Sequence, residues 1–154
     1  MKRQRGVVLL LALVISLLLG VLAASALRAA VVETQMAGVL RDGLLAFEQA
    51  EATLLAGQGA LHHQAPAPCQ PCAPPERPHA LEGHWHKAPE GFYQIQQLGI
   101  STRAAHVPQG LPVTLFRVTA VSLRAQPRQV LEAVYAINGD QTRRIAWRQR
   151  VQGD

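Results

Sequence analysis

The sequence predicts an α+β fold in which one long amino-terminal α-helix packs on a small antiparallel β-sheet head. Residues 7–27 contain no charged side chain, and helical periodicity continues beyond them to about residue 56. Four segments rich in β-branched and aromatic residues follow residue 90. At 154 residues the chain has room for one modest domain, which excludes a large multidomain enzyme.

The uncharged segment 7–27 is long enough to cross a membrane. Its 21 residues extend about 31 Å as an α-helix, close to the roughly 30 Å hydrocarbon core of a bilayer. Lys2, Arg3 and Arg5 precede the segment, whereas only Arg28 follows it closely. This charge asymmetry predicts a cytoplasmic amino terminus, with everything after Arg28 outside the cytoplasm.

Three fates of this segment fit its composition. A secretory signal peptide would be cleaved at Ala24-Ser25-Ala26, and an anchor would stay uncleaved. In the third case a cut after Gly6 leaves the whole apolar helix in the mature protein. A cleaved signal peptide is normally followed by a break in helical character, so the continuation to about residue 56 favours retention of the helix.

Residues 28–56 are predicted to form an amphipathic continuation of the helix. They are rich in Ala, Leu, Glu and Gln, and the next proline is Pro66. Apolar side chains recur in helical steps, and we interpret Gly57 as the helix stop. The sheet is expected to bury four of these side chains: Leu40, Leu44, Phe47 and Leu54.

A family resemblance rests on three stretches near the amino terminus. Arg5-Gly6 stands directly before the apolar helix, and ETQMAG (33–38) and RDGLLAFEQAEA (41–52) follow it. Over about the first 57 residues this pattern resembles the PilX family of type IV pilus minor pilins. Weaker similarity to the closing strands of that family lies in FRVT (116–119) and VLEAVY (130–135).

The resemblance implies a pilin-like fold and a class III leader, residues 1–6. Prepilin peptidase would cut between Gly6 and Val7 and methylate the new amino terminus. The protein would be a single-pass protein of the bacterial inner membrane with a periplasmic head, and it would reach the pilus by packing its helix against other minor and major pilins. It would prime or cap type IV pilus assembly and thereby support adhesion or twitching motility.

One residue departs from the common pilin pattern. Most pilins carry a Glu five residues after the cut, where this chain has Leu11. The departure removes a buried charge pair together with its desolvation cost. It therefore favours a position at or near the filament tip, or in an initiating complex, over routine incorporation along the shaft.

Residues 57–90 are predicted to form an extended loop without regular elements. They hold seven of the ten prolines and five of the six histidines. Because Cys69 and Cys72 are the only cysteines of a chain that is expected to be extracytoplasmic, the sequence favours a disulfide between them. The alternative is a metal site formed by the two cysteines with His84 and His86. Trp85 is interpreted as packing the loop onto the head, although a binding role is the competing hypothesis.

The head is predicted to contain four strands, at residues 91–98, 113–123, 129–137 and 144–151, with turns at 126–128 and 138–140. In the last strand, alternation places Ile145, Trp147 and Val151 on the core side. It places Arg144, Arg148 and Arg150 together on an exposed face. We interpret that face as solvated, with contact to DNA phosphates or another polyanion as the alternative.

The sequence shows no catalytic motif of a familiar class. GxSxG, HExxH, P-loop and GxGxxG patterns are missing, so we expect neither an enzyme nor a bound cofactor. The rival to the minor pilin interpretation is a membrane-anchored periplasmic metal-binding or redox module that uses the Cys/His loop.

Overall fold

The computed structural model describes residues 4–124 and 126–151 and confirms the predicted α+β fold. One α-helix, α1 (Gln4–Ala60), precedes a single sheet of antiparallel strands in chain order. The strands are β1 (His86–Ala88), β2 (Gly91–Ser101), β3 (Val113–Ser122), β4 (Val130–Asn138) and β5 (Gln141–Arg150). The chain divides into two compact units, Met1–Arg41 and Asp42–Asp154.

In the first unit the described residues belong to α1. Its apolar side chains are exposed along the whole segment, from Val7 to Val39. Two hydroxyl groups in this part, those of Ser25 and Thr34, donate to the helix backbone. Ser25 Oγ donates to the Leu22 carbonyl and Thr34 Oγ1 donates to the Ala30 carbonyl, each at 2.8 Å. The surface of this unit is therefore suited to lipid or to another apolar partner.

In the second unit, the residues of α1 that face the sheet are mostly small. Ala46, Ala50 and Leu54 are fully buried, whereas Leu40 and Leu44 are exposed and Phe47 is half-buried. The expectation that all four predicted side chains are buried is therefore wrong for Leu40 and Leu44. The sheet presents large core side chains to the helix, and small helix residues opposite them allow close packing. These sheet residues include Tyr93, Ile95, Phe116, Val118, Leu131 and Tyr135.

Gly57 does not end the helix, which continues to Ala60. A Cβ atom at Gly57 would lie 2.5 Å from Val118 Cγ1 and 3.3 Å from the Tyr93 ring. Glycine is therefore needed here because α1 approaches β2 and β3 closely, and the sequence alone does not distinguish this use from a helix stop.

The strand boundaries differ from the prediction by more than one residue at the end of β2 and at the start of β5. β2 extends to Ser101 through a bulge between Gln97 and Gly99, and β5 begins at Gln141 rather than at residue 144. Pairing resumes this early because Gly139, at a φ of 54°, permits a two-residue turn that joins Asn138 to Gln141. The short strand β1 and a 3-10 turn at Pro78–Ala80 lie within the segment that was predicted to contain no regular element.

The face of the sheet that α1 leaves open is covered by residues 69–84, here called the strap. Side chains of the sheet hold its backbone carbonyl groups. Arg117 donates to Cys72 at 3.1 Å, Gln96 donates to Ala73 at 2.8 Å, and Arg150 donates to Pro75 at 2.6 Å. The proline-rich segment is thus a second layer of the head, because its carbonyl groups accept hydrogen bonds where it has few N–H donors of its own.

Candidate functional site

The predicted processing site lies on an open helical surface. Gly6 and Val7 are exposed, and a Cβ atom at Gly6 would meet no atom within 4 Å. No packing contact among the described residues therefore requires glycine at this position. Of the predicted leader 1–6, Met1, Lys2 and Arg3 lie outside the described residues, as do the side chains of Gln4 and Arg5.

The apolar part of α1 is the largest exposed hydrophobic surface of the described residues. Residues 4–124 and 126–151 contain one helix that is long and apolar enough to cross a membrane, and its most apolar window is entirely unburied. Leu11, where most pilins carry a carboxylate, is exposed like its neighbours. Burying apolar surface gains about 25 cal/mol per Å², so this surface strongly favours lipid or another helix over water.

The two cysteines form a disulfide within the strap. Cys69 also fixes the strap to the sheet, because its N–H donates to the Gln97 carbonyl at 3.0 Å. The preceding residue, Pro68, forms an isolated parallel β-bridge with Gln97. The disulfide therefore lies where the chain pairs with β2 at Gln97. Because the two sulfur atoms are bonded to each other, neither is available as a thiolate ligand for a metal ion.

The structure does not bring the four predicted metal ligands together. The His86 ring stacks on Tyr93, with ring centroids 5.3 Å apart, on the side of the sheet that faces α1. The strap, with Cys69 and Cys72, covers the opposite side. His84 meets the sheet through its backbone, since its carbonyl accepts a bond of 3.3 Å from Gln94. Within residues 4–124 and 126–151, no group of three or more His, Cys, Asp or Glu is placed to hold a metal ion.

Trp85 contributes to the turn that ends the strap. Its indole N–H donates to the Glu82 carbonyl at 3.0 Å, and its side chain is partly buried. This contact is local to the turn, and packing of the loop onto the head by Trp85 stays a prediction. The flanking His84 and His86 are exposed.

The three predicted polyanion-contact arginines do not share one exposed face. A bulge opposite Val134 and Tyr135 inserts Ile145 and reverses the alternation of β5. Arg144 therefore lies beside Tyr135 on the α1 side, whereas Arg148 and Arg150 lie on the strap side. The predicted exposure is wrong for Arg150, which is buried beneath the strap.

The core side predicted for β5 is also only partly realised. Trp147 meets the Phe47 ring edge-on, with centroids 6.3 Å apart, and remains 42% exposed. Ile145 is half-buried and Val151 is exposed. Sequence alternation could not place these side chains, because a single inserted residue moves every later side chain to the other face.

A buried ion cluster under the strap was not predicted from the sequence. Glu132 is 5% exposed and lies 2.8 Å from the Arg148 guanidinium and 3.6 Å from that of Arg117. The signal in the sequence is a single acidic residue within the otherwise apolar strand β4, and a single basic residue within β3. The two guanidinium groups offset the charge of the Glu132 carboxylate. Because Arg117 also donates to the strap, the cluster joins the sheet to the second layer.

Two pKa shifts accompany these contacts. Burial lowers the pKa of His79 in the strap, and the nearby charges of Arg150 and Arg128 lower it further. Burial raises the pKa of Tyr135, while Arg144 opposes and Glu51 adds to that effect. Tyr135 therefore lies within electrostatic reach of both α1 and β5.

Two open cavities lie at opposite flanks of the head. One, of about 590 Å³, is enclosed by the loop between β2 and β3 and includes Arg103 and His106 in its lining. The other, of about 380 Å³, lies beside α1 and includes Glu48, Glu90 and Arg124.

Comparison of the chain with family models, with curated proteins and with solved structures finds no match.

Proposed function

We propose that the protein is a minor pilin of the PilX type that primes or caps type IV pilus assembly. The observation that carries the proposal is the exposed apolar helix, which is followed by a small α+β head. A helix with this surface is stable in a bilayer, and the same surface can later pack against other helices. Support also comes from the residues around Gly6 and from the resemblance of the first 57 residues to that family.

The proposed mechanism begins in the inner membrane, with the head in the periplasm. Prepilin peptidase cuts between Gly6 and Val7, and the methylated helix then joins other minor and major pilins. The small residues Ala12, Ser16 and Gly20 allow neighbouring helices to approach closely. Through the assembled pilus the protein contributes to adhesion or twitching motility.

Leu11 favours a terminal position in the filament on this proposal. A subunit in the shaft pairs its carboxylate with the amino group of a neighbour, and Leu11 cannot do so. A subunit that starts or ends the filament has neighbours on one side only, so it has less need of that pair.

The mature amino terminus tests the proposal. Full-length protein recovered from membranes should begin at methylated Val7, as measured by mass spectrometry. A mature start at Leu27 would contradict the proposal, because the assembly helix would have been removed. As a control, Gly6→Leu should block the cut and leave the unprocessed chain in the membrane, since no contact among the described residues requires glycine there.

A further inference from the structure

The loop between β2 and β3 closes on itself and surrounds a cavity. The Gly110 N–H donates to the Thr102 carbonyl at 3.1 Å, so the two ends of segment 102–110 meet. The φ of Gly110 is 83°, a left-handed conformation that glycine adopts without strain. A closed surface loop is usually filled by its own side chains. This loop instead leaves a cavity of about 590 Å³, here called the loop cavity.

The end of the sheet holds the loop in this shape. The Asn138 side chain donates to the Pro112 carbonyl at 3.1 Å, and the Arg143 guanidinium donates to the His106 carbonyl. Both anchoring side chains belong to the paired strands β4 and β5. The loop cavity is therefore formed before any ligand binds, and a formed site lowers the cost of ordering the loop on binding.

Polar side chains line the loop cavity without partners in the protein. They belong to Thr102, Arg103, His106 and Gln109. Within residues 4–124 and 126–151, none of these four side chains makes a hydrogen bond or an ion pair with another residue. The Arg103 side chain is exposed, so its guanidinium is free to turn towards a molecule in the cavity.

The charge around the loop cavity is positive. The sequence has no acidic residue between positions 91 and 131, and Asp140, in the turn between β4 and β5, is not part of the cavity lining. Among the described residues, neither Arg103 nor Arg143 pairs with a carboxylate. A guanidinium binds a carboxylate or a phosphate through two parallel hydrogen bonds, so the unpaired Arg103 favours an anionic ligand.

We propose that the loop cavity binds a small molecule with one anionic group and several hydroxyl groups, such as a sugar phosphate or a sugar acid. The anionic group pairs with Arg103, and the hydroxyl groups bond to Thr102, His106 and Gln109. The volume suits a molecule larger than a bare ion, since small-molecule sites measure about 300–1,000 Å³. The site goes beyond pilus assembly, because its residues all lie in the second unit and do not include the apolar part of α1.

An NMR titration of the isotope-labelled full-length chain in detergent micelles tests the site. The probes are glucose 6-phosphate and glucuronic acid, with uncharged glucose as the control. At least one anionic probe should shift the amide signals of residues 102–110, and glucose should bind about tenfold more weakly or worse because it makes no charge-assisted hydrogen bond. The anionic probe that binds more tightly identifies the anionic group. Equal affinity for glucose, or no shift in residues 102–110 with either anionic probe, would overturn the proposal.

Variants of the loop separate a specific site from general attraction to a basic head. Arg103→Gln should weaken binding of the anionic probe about tenfold or more. Arg77→Gln removes the same charge from another exposed position of the head and should leave the affinity unchanged. Equal losses in these two variants would overturn the proposal, because they would show attraction without a site.

The closure of the loop is tested by Gly110→Ala. Alanine resists a φ of 83°, so the free loop should open and the affinity should fall about fivefold. Neither Arg103 nor Gly110 belongs to the core cluster, so both variants should keep the fold of the head. Unchanged affinity in both Arg103→Gln and Gly110→Ala would overturn the proposal.

The titration and the mature amino terminus give separate results. Binding in the loop cavity together with a mature start other than Val7 would support this site and contradict the minor pilin proposal. A mature start at Val7 without binding would do the reverse.

Discussion

The contact at Gly57 allows a quantitative test of how closely α1 packs on the sheet. Gly57 and Gly59 both lie in the last turns of α1, and replacing glycine by alanine in a helix gains about 0.5–1 kcal/mol at either position. Gly59 has no atom within 4 Å of an added Cβ, whereas Gly57 has Val118 Cγ1 at 2.5 Å. That distance is about 1 Å shorter than ordinary van der Waals contact.

The two alanine variants should therefore change stability in opposite directions. Gly59→Ala should raise the free energy of unfolding by about 0.5 kcal/mol. Gly57→Ala adds a packing cost of about 1–3 kcal/mol, which outweighs the helix propensity that it gains. The difference between the variants isolates the contact, because the propensity contribution is nearly the same in both. We expect that difference to be about 2 kcal/mol.

Urea unfolding of the full-length chain in detergent measures this difference. The two tryptophans, Trp85 and Trp147, both lie in the head, so their fluorescence reports on it. Val118→Ala removes the contacting methyl group, and Gly57→Ala should cost less in that background. Equal stability of the two single alanine variants, or no coupling with Val118→Ala, would refute the close approach of α1 to β3.

Three further results are expected. The pKa of His79 is lowered in the folded head, so the unfolded state binds more protons than the folded state. The contribution of His79 to stability is therefore complete above the unfolded pKa of about 6.5 and falls as the pH drops below it. Urea titrations at several pH values should show this fall, and His79→Gln should reduce it. Glu132→Gln should lower the free energy of unfolding by about 2 kcal/mol, because it removes the buried carboxylate charge that pairs with the partly buried Arg117 and the exposed Arg148. Glu82→Gln, in an exposed ion pair, should cost less than about 1 kcal/mol. Replacing Cys69 and Cys72 together by serine should cost about 2 kcal/mol or less, since the disulfide closes a very short span and the strap keeps its hydrogen bonds to the sheet; a larger loss in melting curves would show that the strap depends on the disulfide.

Two of these results have a comparison variant that decides between interpretations. A pH dependence that persists unchanged in His79→Gln would assign it to other groups. Equal losses for Glu132→Gln and Glu82→Gln would contradict the burial of the ion cluster.

Prediction from sequence succeeded where local patterns decide the structure. The lack of charge in residues 7–27, the absence of proline from α1, the β-branched and aromatic residues of β2 to β4 and the turn at Asn138-Gly139 are each properties of neighbouring residues. These patterns predicted the α+β fold class and most of the strands. They did not predict β1, because a three-residue strand exists only through its pairing with β2.

The candidate sites were harder to predict, since they depend on residues that are distant in the sequence. The arginines of β5 looked like one basic face until the bulge at Ile145 separated Arg144 from Arg148. The histidines near Cys69 looked like metal ligands, but the sheet separates His86 from the cysteines.

The sequence by itself determined that the chain carries one long apolar helix, a proline-rich segment and a β-rich carboxy-terminal part. These properties follow from composition and from periodicity over a few residues. Only the tertiary structure decided that Ala46, Ala50 and Leu54 of α1 are buried while Leu40 and Leu44 are exposed, and that Glu132 lies buried between arginines. Packing depends on the shapes and charges of side chains that are distant in the sequence, as in the contact between Phe47 and Trp147. No local pattern contains that information.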